Sequence, residues 1–338
     1  ISRIAGGMPY NLAMFRNLNT PTIGLGNYIL GINIDSERIL LVHSNPTGLT
    51  CERLAFPFPS TESFQFFLSE VSSNADRLLM ITKAQHLPMP DVVSVSVAGN
   101  YDAQTGVLSS SMEFSQWKSE SLRSQLGLRF NLPVYAENKA NAGMLAEMLF
   151  DTNQSLEHAI YLTFTPRIRV SLLSEGRLYR NTAANSGLMG NIRLGSSPTP
   201  GEQFRTLDDV ASGGGLLRLA NLRHPNHWEQ GLTLHAFLQS ALEGDPYAIE
   251  VINEASSWLG RGMEGLVHVI RPDTIIIGHP FHLLGKLWLD PMVEALSQAT
   301  GLGIGQLPKI TASTLGVRQP ELEALSPAIM GLRSSRPN

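Results

Sequence analysis

The chain has 338 residues, with 25 lysines and arginines against 29 aspartates and glutamates and a formal net charge of −4. That balance excludes a strongly basic nucleic-acid-binding surface. A content of 43% apolar and 16% charged residues excludes disorder for the bulk of the chain. The single cysteine, Cys51, excludes a disulfide framework and a thiolate metal cluster and makes the cytoplasm the natural compartment.

At roughly 100–200 residues per domain the length predicts two domains. The N-terminus, Ile1-Ser2-Arg3-Ile4, has neither an initiator Met nor a signal-peptide pattern, and is read as the cut or processed end of something longer. Residues 1–27 are irregular. From Tyr28 to Ile34 a buried strand is predicted, turning at Asp35-Ser36 into a second strand over Arg38 to His43, with a third near Leu49 to Phe56. Ser60 to Ser63 is a capping segment for a long helix reaching about Lys83. The β-branched run Asp91 to Val97 reads as a strand, Ser119 to Leu126 as a helix, Leu132 to Tyr135 as a short strand and Lys139 to Phe150 as a helix. A second strand series is predicted at Ala159 to Thr163, Ile168 to Leu173 and Arg177 to Arg180. The rest is mostly helical, except for strands at Thr274 to Ile277 and near Lys309 to Thr314. A strand-meander-plus-helix unit therefore occurs twice, and two such lobes normally enclose a ligand cleft. No apolar run approaches the ~20 residues that cross a bilayer, so no membrane contact is expected.

Particular segments carry a more specific likeness. Ser94 to Val107, Leu132 to Ala142, Ala159 to Thr163, Glu175 to Arg180, and Gly244-Asp245-Pro246-Tyr247-Ala248 followed by Val269 to Gly278 resemble the ROK family in order and spacing. That family contains sugar kinases and sugar-responsive transcriptional repressors. The resemblance runs from about Tyr28 to Gly331. It implies an α/β fold of two ribonuclease-H-like lobes around a cleft, as in the actin-like ATPase (sugar kinase) superfamily. The implied division is residues 28–137 for one lobe and 138–338 for the other, with the C-terminal helix packing back on the first lobe.

The same comparison exposes losses. Where the family places an Asp as catalytic base after a Glu-Asn pair, this chain has Lys139 after Glu137-Asn138. A protonated lysine has no lone pair for the attacking hydroxyl. Phosphate cradles need bare backbone N–H groups, yet the second phosphate loop is Thr165-Pro166-Arg167-Ile168-Arg169 and the first is Asn33-Ile34-Asp35-Ser36-Glu37-Arg38. Gly278-His279-Pro280 stands where a run of glycines is usual. On the sugar side, Glu113 replaces an Asn shortly before Trp117, and Gly187-Leu188-Met189-Gly190-Asn191 lacks the family's Glu and His. The zinc-binding cysteines are missing between Ser196 and Asp208, so neither a metal nor a cofactor is expected.

The residues that remain as candidate ligand contacts are Asn138, Lys139, Glu113, Asn191, Arg167 and Arg169. Arg167 and Arg169 are two apart on a predicted strand, so they are expected to share a face. They are read first as solvated or ion-paired side chains and second as a sugar-phosphate site. Lys139 is read as a partner of Glu113 that fills the former sugar pocket. His224 with His227 and His279 with His282 are taken as packing histidines rather than metal ligands, and Ser212-Gly213-Gly214-Gly215 as a bend in a helical region rather than a phosphate loop. The segment ahead of Tyr28 looks like the linker that follows a winged helix-turn-helix in ROK repressors. The expectation is thus the effector-binding and oligomerisation region of a regulator, catalytically inactive. Its partners would be a second copy or more of itself (dimer or tetramer), a small sugar or sugar phosphate, and DNA reached through a helix-turn-helix unit outside this chain. The alternatives are a sugar kinase with a rearranged site and a scaffold without ligand.

Overall fold

The computed structural model describes residues 27–108, 114–117, 119–151, 155–180, 187–194 and 206–334. Strands β1 (Ile29–Ile34), β2 (Arg38–Ser44) and β3 (Thr50–Pro57) form an antiparallel meander. Helix α1 (Phe64–Ala84) then leads to β4 (Val92–Val97), which lies parallel to β1. Ser63 starts α1 by accepting the Phe66 N–H at 3.1 Å, as an N-cap serine does. A short ribbon of β5 (Tyr101–Asp102) and β6 (Val107–Leu108) precedes α2 (Leu122–Phe130) and β7 (Val134–Asn138), which extends the first sheet in the order β3-β2-β1-β4-β7.

The second sheet repeats this plan. After α3 (Lys139–Phe150), strands β8 (Ala159–Thr163), β9 (Arg169–Ser174) and β10 (Arg177–Leu178) form a meander. Helices α4 (Asp208–Ala211), α5 (Gly213–Arg223), α6 (Leu234–Leu242), α7 (Pro246–Gly262) and α8 (Glu264–Ile270) follow. Next come β11 (Thr274–Ile277), parallel to β8, then α9 (Lys286–Thr300) and β12 (Lys309–Ala312), giving the order β10-β9-β8-β11-β12. Helix α10 (Gln319–Ser334) closes the chain.

Alternation along the strands sorts each sheet into two faces. On β4, Val93, Val95 and Val97 join the outer core with α1 and its Phe64, Phe67 and Val71, while Ser94 and Ser96 point inward. On β8, Ile160 and Leu162 enter the large core under α5, α7 and α9, while Tyr161 faces Met144 of α3. Helices α3 and α10 pack on each other between the two sheets: α3 lies against β8 and β9, and α10 against β1 and β4. The polar inward positions are used there. The Ser94 hydroxyl accepts the Ala328 N–H at 3.0 Å, and the Ser326 hydroxyl donates to the Ala142 carbonyl at 2.7 Å.

Helix α2 begins at Leu122 and not at Ser119, because Leu108 N–H binds the Glu120 carbonyl and holds that segment extended. Trp117 is fully buried, wedged among Phe58, Phe64, Phe67 and Phe114, with its indole N–H on the Glu62 carbonyl at 3.0 Å.

Candidate functional site

The carboxyl ends of β1, β8 and β11 point to one place, the start of α5, as ligand-binding edges of α/β sheets do. The Asp35-Ser36 turn, Thr165-Pro166, Gly278-His279-Pro280 and Ser212-Gly213-Gly214 converge there. They border a cavity of about 380 Å³, walled on its far side by Leu217, Leu234, Leu238 and Leu283. Ser212 is thus the break between α4 and α5, and the three glycines are the first turn of α5: Ser212 caps the helix through the Gly215 N–H at 3.0 Å, and Gly213 and Gly214 line the cavity.

Lys139, 2% exposed at the first position of α3, reaches across this site. Its ammonium forms an ion pair with Asp35 and lies 3.4 Å from the Thr165 hydroxyl. Among the described residues its partner is Asp35; Glu113, the partner expected from the sequence, lies outside the described residues. Burial pushes the Asp35 carboxyl up, but the charge and hydrogen bond of Lys139, with the Ser36 N–H, outweigh this and hold it below its usual range. His279 beside them is driven down to about 3, by burial first and then by Lys139, so its ring is neutral.

Some backbone donors of both loops are engaged within the protein. Asp35 N–H binds the Arg38 carbonyl at 3.0 Å and Ser36 N–H binds the Asp35 side chain at 2.8 Å. In the second loop Pro166 has no N–H, and the Ile168 N–H donates to Asp208 Oδ1 at 2.7 Å. Asp208 also receives Arg167 Nε at 2.5 Å, and Arg167 Nη2 donates to Asn191 Oδ1 at 2.7 Å. Arg167 and Asn191 thus come together around a carboxylate that sequence reasoning missed. Arg169 goes elsewhere. It opens β9, is buried, and donates to Asn100 Oδ1 at 2.8 Å, whereas Arg167 lies in the turn before that strand, so the two do not share a strand face. Asn138 caps α3 by accepting the Asn141 N–H at 3.0 Å. Asn141 in turn bridges Glu137 (3.1 Å) and the Ser171 hydroxyl (2.9 Å), while Glu137 is ion-paired with Arg180.

Behind the Lys139–Asp35 pair lies a buried cluster with no sequence signal. Glu323 of α10 accepts from Tyr161 at 3.1 Å, Gln319 at 2.9 Å and Asn33 at 3.2 Å. Burial leaves Glu323 above its usual range despite Lys139 and these donors, and it lifts the Tyr161 phenol as well. Tyr161 fits only because Gly143 and Gly278 flank its ring, where a Cβ on either would overlap it.

His224 and His227 pack on Tyr247 and Trp228 with Glu250 and Asp245 as carboxylate neighbours, and His282 Nε2 lies 3.2 Å from the Gly316 carbonyl. Among the described residues no group of three or more His, Cys, Asp or Glu side chains is arranged to hold a metal. Residues 196–205, most of the expected zinc segment, lie outside the described residues, as do residues 1–26.

The ROK family model matches residues 42–316. The chain belongs to the ROK family. A xylose repressor from Caldicellulosiruptor bescii is 26% identical over 263 residues, which is 72% of this chain and 63% of the repressor, so this ROK chain spans less than two thirds of that relative. A glucokinase from Halalkalibacterium halodurans is 20% identical over 282 residues, 79% of this chain and 84% of the enzyme. In structure, a ROK transcriptional regulator homologous to Escherichia coli Mlc superposes with a TM-score of 0.74 at 16% identity, covering 91% of this chain and 80% of the regulator. The two repeated sheets are therefore those of the actin-like ATPase fold, shared by ROK kinases and regulators alike. Among the described residues no helix is long and apolar enough to cross a membrane.

Proposed function

We propose that this chain is the effector-binding region of a ROK transcriptional regulator and that its cleft binds a small ligand without transferring a phosphoryl group. One observation carries the reading: the position that must supply a general base holds Lys139, a buried cation already neutralised by Asp35. A protonated amine cannot accept the hydroxyl proton. In the loops that would cradle phosphates, the Ser36 and Ile168 N–H groups are bound by carboxylates, Asp35 of the first loop and Asp208 of α4. Ligand binding, in the cavity bordered by Asp35, Thr165, Gly213 and His279, then acts by shifting the balance of lobe arrangements. Self-association into a dimer or tetramer, and DNA contact through a helix-turn-helix unit outside these residues, belong to the same proposal. A net charge of −4 gives this region little counterion-release affinity of its own.

A kinase reading is favoured by one finding, the match to a glucokinase over most of both chains. Calorimetric titration of the full-length protein with xylose, glucose and their phosphates, beside a coupled assay for ADP release, separates the two. Sugar binding without turnover supports the regulator. Turnover with any hexose overturns it.

A further inference from the structure

Helix α3 carries a second buried charge carrier that the cleft does not use. Glu147 stands one and two turns beyond Gly143 and Lys139 on one face of the helix. It is 1% exposed, and neither carboxyl oxygen closes a well-formed hydrogen bond among the described residues, the Ser313 side chain giving only a weak one. The groups facing it are Asp151 just past the end of its own helix, Ser313 just past β12, Glu323 of α10 and Tyr161 of β8. None of these is a cation, and Lys139 is committed to Asp35. A lone buried carboxylate is costly, and a group so placed keeps its proton instead. Burial, tempered by the Ser313 side chain and reinforced by Asp151 and Glu323, pushes the Glu147 acid up to about 7.

The place matters as much as the group. Residues 313–318 carry the chain from β12 of the second sheet to α10, which packs on the first. Glu147 sits where that crossing, α3 and α10 meet. We propose that Glu147 is a proton switch at the seam between the lobes: neutral, it packs into this junction, and on ionisation it loosens the hold of α10 on α3. The device does not depend on what the cleft binds.

Hydrogen exchange on the full-length protein, corrected for intrinsic rates, tests it. From roughly pH 6 to pH 8, protection of the α10 amides falls about tenfold in the wild type, and in Glu147→Gln it does not change. Loss of the side-chain contact in Ser313→Ala moves the wild-type midpoint to higher pH, and this variant serves if Glu147→Gln does not fold. An equal fall in Glu147→Gln, no fall in the wild type, or an unmoved midpoint in Ser313→Ala would overturn the proposal.

Discussion

Replacing Lys139 by Met removes the cation that compensates Asp35 among the described residues. The lysine is 2% exposed and the Asp35 side chain 17%, so water replaces little of the lost interaction. Breaking a buried pair from one side costs about 3–5 kcal/mol, because the remaining charge is stranded. The Ser36 N–H still donates to Asp35 at 2.8 Å and offsets about 1 kcal/mol of this. The expected loss is therefore about 3 kcal/mol at neutral pH. The sign with pH follows from the depressed Asp35 carboxyl. In the wild type the pair's stabilisation is present above the ordinary value of 3.8 and is lost as pH falls through the lower folded value. In Lys139→Met, acid instead relieves the stranded charge, so the gap to the wild type closes as pH drops. Urea unfolding of Lys139→Met, Asp35→Asn and the double variant reads this directly, and the double variant should recover most of the loss. A single-variant cost below about 1 kcal/mol at neutral pH, or no recovery in the double variant, would refute the reasoning.

Other consequences are open to the same unfolding measurements. Gly143→Ala forces a methyl into the Tyr161 ring and should cost about 1–3 kcal/mol. Trp117→Ala empties the centre of an aromatic cluster and should cost about 3–5 kcal/mol, with no effect on the cleft. Because Glu147 is raised from 4.5 to about 7, its stabilising contribution is full below 4.5 and lost as pH rises through about 7. Glu147→Gln should therefore gain on the wild type across that window, by up to about 3 kcal/mol. Asp208→Asn weakens the anchor of Arg167 and of the Ile168 N–H, and should lower ligand affinity more than it lowers stability.

Local rules were enough for much of the fold. The run Val92–Val97 alternates valine and serine and makes a two-faced strand. Asn138 is a natural cap, so α3 was readable to its first residue, and Thr274–Ile277 is too apolar and β-branched to be anything but a buried strand. The misplacements arose where a distant group overrides local preference. Asp208 takes the Ile168 N–H and keeps Arg167 off the strand, and Leu108 holds Glu120 extended. In the site, the residues standing at the expected base and glycine positions, and the shortage of cysteines, were legible from the sequence. The pairings were not: Lys139 meets Asp35 104 residues away, and Tyr161 meets Glu323 at a separation of 162. Pairing over such distances is set by packing of the two sheets on α3 and α10, for which single-residue propensities carry no information.

We propose that Lys139, held by Asp35, leaves this cleft able to bind but unable to phosphorylate. Phosphorus NMR of the full-length protein incubated with magnesium ATP and a saturating panel of hexoses and xylose tests it most directly. No sugar phosphate above the protein-free control is the expected result, with the wild type and Lys139→Met alike. Accumulation of a sugar phosphate by the wild type would contradict it.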